Sequence, residues 1–329
     1  MKTALIAPDG ESVLTGVQNV AKRRHVQRAS GADVNISGIS RTAPVLIAGP
    51  TASGKSALAM EIAVRDGRTI VNADALQVYD MWRILSARPS ADDEAALPHA
   101  LFGHIGLGAP YSTGHWLRDV APLLDRPVVI VGGTGLNFTA LTTGLADIPP
   151  IPPDVRARAN QILAAQGPQA MLAELDNETR SKIDPQNPAR IQRAWEVLAA
   201  TGRGLADWQA STGPALLPLQ NAQALVLQMG IVRLDARISQ RFDAMMDQGA
   251  LDEARTALPH WPDGGTNQPP PQPPPWTRAI GAPELIAHLR GQITLHDAIA
   301  AAKLASRQYA KRQRTWFRNR MKNWAPLDC

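Results

Sequence analysis

The sequence predicts an α/β fold: a parallel sheet flanked by helices and begun by a phosphate-binding loop, with an all-helical segment inserted into that core. Three observations lead there. Short apolar, β-branched runs at 45–48, 69–72 and 127–131 alternate with stretches of helical spacing, the pattern of strands buried on both faces and joined by crossover helices. The first run passes directly into Gly49-Pro50-Thr51-Ala52-Ser53-Gly54-Lys55-Ser56 and then into helix formers, the context that a G-x-x-x-x-G-K-S loop requires. After Gly144 the character changes to helical spacing with mixed charge.

Taken in order, residues 1–43 mix Gly, Ser, Asp and Asn around a basic knot, Lys22-Arg23-Arg24-His25, without a sustained period, and are expected to be a weakly ordered extension. Residues 44–146 form the first part of the core. In parallel α/β sheets ligands sit at the C-terminal strand ends. The phosphate loop, Asp74 and Gly132-Gly133-Thr134-Gly135 each follow a strand, so they are expected to converge on one crevice. Residues 147–218 are expected to be the inserted helical domain, entered through the Pro-rich connector 147–154, with helices over 155–175 and 190–201 and Gly202 as a stop.

Residues 219–329 complete the core. A strand is expected over 225–229 and an amphipathic helix over 237–258, whose stripe of Ile238, Phe242, Met245 and Met246 reads as core packing. Residues 262–275, rich in Pro, Gly and Gln, are expected to be an exposed loop. The last helix, 299–324, carries eight basic side chains and no acidic one, interleaved with Tyr309, Trp316, Phe317 and Trp324. Bases on such a helix neutralise a phosphate backbone and aromatic faces stack on unpaired bases, so a nucleic-acid partner is expected.

Composition narrows the class. The net charge is +5, which favours a polyanionic partner. Cys329 is the single cysteine, excluding an internal disulfide or a thiolate metal cluster, and a reducing, cytoplasmic setting is expected. No apolar run reaches membrane-spanning length.

In the loop itself, Gly49 and Gly54 let backbone N–H groups, including those of Thr51, Ala52 and Ser53, turn inward. Lys55 supplies a mobile positive charge, and the Ser56 hydroxyl can ligate a phosphate-bound Mg²⁺. Alone, this loop suggests ATP or GTP.

Other motifs change that expectation. The segment Asn72-Ala73-Asp74-Ala75-Leu76-Gln77-Val78-Tyr79 resembles the D-S-x-Q-V-Y element of bacterial tRNA dimethylallyltransferases, and G-P-T-A-S-G-K-S is the loop form of that family. Val-Gly-Gly-Thr-Gly-Leu at 131–136, Arg278-Ala279-Ile280-Gly281 and Lys311-Arg312-Gln313-Arg314-Thr315-Trp316 are similar to its further motifs, in order, from about Val45 to Trp324. The resemblance implies transfer of a dimethylallyl group from its diphosphate to N6 of the adenosine 3′-adjacent to a tRNA anticodon. Asp74 would be the general base, while Thr51 and Arg278 would assist the leaving diphosphate beside Lys55, Ser56 and Mg²⁺. The resemblance also implies contacts from Asp74, Ala75, Leu76, Gln77, Thr134, Arg156, Arg190, Arg193, Lys311, Arg312, Trp316 and Arg318 to the tRNA anticodon stem-loop, and the protein is expected to be a monomer. This chain departs from the family pattern at Ala75, Asn137 and Ala282, and carries Arg88 for Lys, which keeps a positive charge for the diphosphate. A small-molecule kinase, an isopentenyltransferase acting on free adenine nucleotides and a non-enzymatic RNA-binding protein are the alternative readings.

Overall fold

The computed structural model describes residues 36–262 and 273–329. The basic knot and residues 263–272 of the Pro-rich segment lie outside the described residues. Strands β1 (Val45–Ala48), β2 (Thr69–Asn72), β3 (His99–Ala100), β4 (Val128–Gly132), β5 (Gln223–Gln228) and β6 (Ala325–Asp328) form one sheet in the order β3-β2-β4-β1-β5-β6. Every pairing is parallel. All four residues of β1 are buried, because β4 and β5 flank it and both sheet faces are covered, which explains an uninterrupted apolar run in place of alternation.

The register explains the packing. Val45 lies beside Val129 and Ile47 beside Val131, so these side chains share a face with Leu225 and Leu227. Helix α1 (Lys55–Asp66) covers that face with Leu58, Ala59, Ile62 and Ala63, the one-turn spacing of a buried stripe. Helices α2 (Ala91–Ala96) and α3 (Thr113–Val120) each begin at a serine cap, Ser90 and Ser112. Helix α4 (Gly135–Thr143) follows β4.

Contacts divide the described residues into two compact units. The second, Ala140–Pro218, contains helices α5 (Pro153–Gln166), α6 (Pro168–Glu174), α7 (Asn177–Lys182), α8 (Pro188–Thr201) and α9 (Leu205–Ala210). Its own core gathers Ala159, Met171, Leu175, Ile191, Ala194 and Trp195. The single helix expected over 155–175 is two, because Pro168 lacks the N–H needed to continue the ladder. The first unit continues through α10 (Ile231–Asp247), α11 (Ala250–Ala257), α12 (Ala282–Leu289) and α13 (Leu295–Arg320). Here too one expected helix, 237–258, is broken, at Gly249 with φ 98°. The last helix ends at Arg320, and β6 adds an edge strand that helical spacing did not anticipate.

Part of the expected N-terminal extension is anchored. Residues 36–43 are tied to α1 and the turn after it by Arg65, which donates to Ile36 O and Ile39 O, and by Arg68. Arg68 is fully buried and donates to Ser40 O (2.7 Å), Ala43 O (2.7 Å), Val128 O (3.1 Å) and the Asp66 carboxylate (3.2 Å). A buried guanidinium is tolerated only when so many donors are satisfied. Replacing it removes a donor from three backbone carbonyls at once, while Asp66 keeps its two bonds from Arg65. Arg68→Met is expected to lower unfolding free energy by roughly 1–3 kcal/mol, measured by urea denaturation.

Candidate active site

The loops after β1, β2 and β4 meet at the C-terminal edge of the sheet. Between β1 and α1 the phosphate-loop segment turns with Ala52 at φ 62° and Gly54 at φ 94°, both left-handed. Ala52 is held there in a conformation that costs a non-glycine residue of order 1 kcal/mol, a strain that clusters at functional loops. After β2, Asn72 is buried. Its Oδ1 accepts from Asp74 N (2.8 Å), and its Nδ2 donates to Asp74 O and Leu101 O (both 2.9 Å), so the strand end dictates where the Asp74 carboxylate stands. Asp74 Oδ1 accepts from Leu76 N (3.0 Å). After β4, Thr134 Oγ1 accepts from Ala75 N (2.9 Å), joining two of the three loops.

Gln313, from α13, joins the third. Its Oε1 accepts from Thr51 N (2.8 Å) and its Nε2 donates to Gly133 O (3.0 Å). A Cβ on Gly133 would overlap Gln313 Nε2, and one on Gly135 would overlap the Trp316 indole, so the glycines of the β4 loop are needed for α13 to approach.

The crevice that results is lined by the polar side chains of Thr51, Lys55, Asp74, Arg241 and Tyr309 and by the apolar ones of Ala52, Leu85, Phe242, Met245, Ala279 and Ile280. Lys55 is buried, and its Nζ donates to Pro50 O at 3.4 Å. Burial, and then the nearby Arg241 guanidinium, pull its pKa from 10.5 down to about 8, with Asp74 opposing the shift. Burial also lowers the pKa of Arg241, against the pull of Asp74, and its Nη1 donates to Thr51 Oγ1 at 3.3 Å. A buried and a half-buried cation therefore face one carboxylate. Such a site has an uncompensated positive charge that an anion would satisfy.

The structure sorts the residues expected at the site. Thr51, Ala52, Lys55, Asp74, Leu76 and Gln77 line the crevice. Ser53 is buried with its hydroxyl unpartnered, and Ser56 is exposed on the first turn of α1. Arg278 is exposed at the end of the turn Pro275–Arg278 and is not among the lining side chains; the guanidinium at the loop belongs to Arg241. Arg241 carries one sequence signal, a charge inside the apolar stripe of Ile238, Phe242 and Met245. That stripe is buried as expected, yet it also forms a wall of the crevice. Arg88 is not at the crevice: it donates to Tyr79 O and Asp80 O and fills the space over Gly103, so its charge serves the 79–88 turn.

Along α13, Lys311, Arg312 and Arg318 are exposed, with the Arg312 guanidinium 5.7 Å from the Tyr309 ring. Trp316 is half-buried. Phe317 and Trp324, expected as stacking faces, are buried instead, the latter edge-on to Phe138 at 5.2 Å. Lys303 is paired with Asp243 (2.6 Å). In the second unit Arg156 and Arg190 are exposed, and Arg156 and Arg193 approach the buried Glu196 carboxylate at 3.5 and 3.9 Å. Two departures from the family pattern are accommodated: Asn137 is buried and accepts from Thr113 Oγ1 (2.9 Å), and Ala282 is buried at the start of α12.

A parallel sheet whose first strand feeds a strained glycine loop and a helix, with cations, a carboxylate and apolar side chains in one crevice, defines an α/β protein with a mixed polar and apolar crevice at the C-terminal edge of its sheet. Residues 77–320 match the IPP transferase family, and residues 43–97 match the isopentenyl transferase family. A tRNA dimethylallyltransferase of Cereibacter sphaeroides is 64% identical over 284 residues, covering 85% of this chain and 87% of the relative. One from Dinoroseobacter shibae is 59% identical over 297 residues, 89% and 97% of the two chains. The solved tRNA isopentenylpyrophosphate transferase of Bacillus halodurans is 31% identical, with a TM-score of 0.58 over 87% of this chain and 89% of that one. A eukaryotic dimethylallyltransferase acting on tRNA shares the fold, with a TM-score of 0.71 at 23% identity over 87% and 74%. The chain belongs to the IPP transferase family.

Gln313→Ala would leave Thr51 N–H and Gly133 C=O without their partner. It is expected to cost roughly 1–3 kcal/mol of unfolding free energy, read by denaturation, and to raise hydrogen exchange at the Thr51 amide.

Proposed function

We infer that this protein transfers the dimethylallyl group of dimethylallyl diphosphate to N6 of the adenosine 3′-adjacent to the tRNA anticodon, releasing diphosphate. The observation that carries the reading is one crevice lined by Thr51, Lys55, Asp74 and Arg241 together with the apolar Leu85, Phe242 and Met245. In the reaction the allylic C–O bond breaks, its electron pair leaves with the diphosphate, the N6–carbon bond forms and the N6 proton passes to Asp74.

Negative charge grows on the bridging and terminal diphosphate oxygens as that bond breaks. The Thr51 hydroxyl, oriented by Arg241, would donate to the bridging oxygen, and Lys55 and Arg241 would neutralise the rest. Their charges are pre-placed in a buried site, so no solvent need reorganise as the bond breaks. The adenine amine is a weak nucleophile because its lone pair is delocalised. Asp74, held by the Asn72 turn, would take its proton as the new bond forms. Mg²⁺ would add Lewis-acid charge to the leaving group, and the Ser56 hydroxyl, an exposed hard oxygen donor on the first turn of α1, suits it.

To reach Asp74 the adenine must leave its stack. The exposed Lys311, Arg312 and Arg318 on α13, with Arg156, Arg190 and Arg193 in the second unit, offer phosphate contacts, and Trp316 lies against the β4 loop beside Thr134. The basic face of α13 favours tRNA over a free nucleotide as acceptor. One chain supplies every residue this reading uses, so a monomer acting in the cytoplasm suffices.

The test is to incubate the purified protein with labelled dimethylallyl diphosphate and, in parallel, unmodified tRNA, AMP or no acceptor. Label is expected in tRNA alone; label in AMP alone, or ATP turnover without prenyl transfer, contradicts the reading. Asp74→Ala is expected to reduce turnover by about 100-fold or more while tRNA affinity stays near that of the native protein.

Lys55 makes the donor site pH-sensitive. Its pKa of about 8 in the free protein rises when a diphosphate sits beside it, so binding takes up protons. The Lys55 contribution to affinity is full below about pH 8 and is lost as pH rises through the higher pKa of the bound state. Calorimetry of inorganic diphosphate binding at pH 8, in buffers of different ionisation enthalpy, is expected to show uptake of about half a proton that Lys55→Met does not share.

A further inference from the structure

The segment after β2 folds back so that three successive backbone amides converge on one side chain. Arg83 N and Ile84 N donate to Glu253 Oε1 (2.5 and 2.9 Å) and Leu85 N donates to Glu253 Oε2 (2.8 Å). Successive N–H groups aimed at one point form an anion-binding nest, and here a carboxylate from α11 fills it. Around the nest, Gln77 Nε2 donates to Ser86 O (2.9 Å) and Ala87 O (3.2 Å), and Ser86 Oγ to Trp82 O (2.5 Å). Ala87 is held at φ 52°, a left-handed conformation that the turn maintains only while these bonds hold it.

This turn places Leu85. The side chain is 5% exposed, packs in the cluster with Trp82, Phe242 and Met245, and lines the crevice. A Cβ on Gly281 would meet both Leu85 Cδ2 and the Phe242 ring, so the two side chains rest together on the backbone at the start of α12. Along α10 the crevice runs from Ile238, which packs with Ala52 of the phosphate-loop segment, past Arg241 to Met245, one helical turn or about 6 Å further on. Leu85, Phe242 and Met245 supply apolar side chains to its lining, beside the cations Lys55 and Arg241.

We propose that Glu253 is a positioning residue that fixes Leu85 in the apolar lining of the crevice, and that Leu85 there restricts the donor to a five-carbon allylic chain. The inference rests on the prenyl-transfer reading above and adds to it what limits the chain length. On this proposal a five-carbon chain stops short of the Leu85 side chain and a ten-carbon chain meets it. That side chain cannot yield easily, because Leu85 N is bonded to a carboxylate whose other oxygen holds two neighbouring amides. Glu253 does not itself line the crevice, so its effect passes through the turn.

The experiment measures kcat/KM on unmodified tRNA with dimethylallyl and geranyl diphosphate, for the native protein, Leu85→Ala, Glu253→Ala and Glu253→Gln, each checked for fold by circular dichroism. Leu85→Ala is expected to raise the geranyl-to-dimethylallyl ratio by about tenfold or more, and Glu253→Ala to raise it in the same direction. Glu253→Gln, which keeps one acceptor oxygen but turns an amide donor towards the nest, is expected to fall between native and Glu253→Ala; it carries the comparison if Glu253→Ala does not fold. A residue needed only for stability would lower both rates and leave the ratio alone. An unchanged ratio in the Glu253 variants therefore overturns the proposal, as does an unchanged ratio in Leu85→Ala. Native protein that transfers no dimethylallyl group to tRNA would instead defeat the prenyl-transfer reading, and the inference with it.

Discussion

The arrangement of the site depends on one amide side chain. Gln313 accepts from Thr51 N and donates to Gly133 O, so a residue from the last helix bonds the loops after β1 and β4 to each other. A carboxylate could not donate and a lysine could not accept, so the bridge needs a side chain that does both at this length. The bridge also sets the rotation of α13. Ser306 and Tyr309, on the same helical face as Gln313, line the crevice, while Trp316, one turn on, covers Gly135. The opposite face, with Lys311, Arg312 and Arg318, is turned to solvent. One hydrogen-bonded pair of loops thus decides which side chains of this helix meet a donor and which remain for an RNA backbone.

The electrostatics follow from the same geometry. Lys55 and Arg241 are brought within the field of one carboxylate, and burial shifts both of their pKa values downward. In the free protein this is destabilising, since each charge has lost water without gaining a full partner. An anionic ligand removes that penalty on binding. The structural ion pairs are built differently: Arg68 and Asp66 are enclosed with their hydrogen bonds made, and Glu196 is buried between two guanidiniums. The contrast separates the crevice from the charges that only hold the fold.

Much of the site is legible in the chain itself. The strand-to-loop-to-helix run through Lys55 and the position of Asp74 after a buried strand are local patterns, fixed by periodicity and by the residues flanking them. The Gln313 bridge is not legible, although the residue sits inside a motif, because its partners lie 180 and 262 positions away in sequence. Arg241 is harder still. Among the chain's 34 basic residues nothing local distinguishes it except an apolar neighbourhood on its own helix. Arg278 stands in a motif and is exposed, which shows that a motif locates a segment of chain and not the direction of each side chain in it.

Short-range pattern and spacing are enough to specify the class of sheet, its first strands, the loop that begins it and the resemblance that points to prenyl transfer. They do not specify which guanidinium faces the loop, which aromatics of α13 are buried, that β6 closes the sheet edge, or that Glu253 reaches the turn bearing Leu85. Those features arise in the folded chain. Each depends on contacts between segments far apart in sequence, and such contacts form only when the sheet, the helices and their hydrogen bonds are satisfied together.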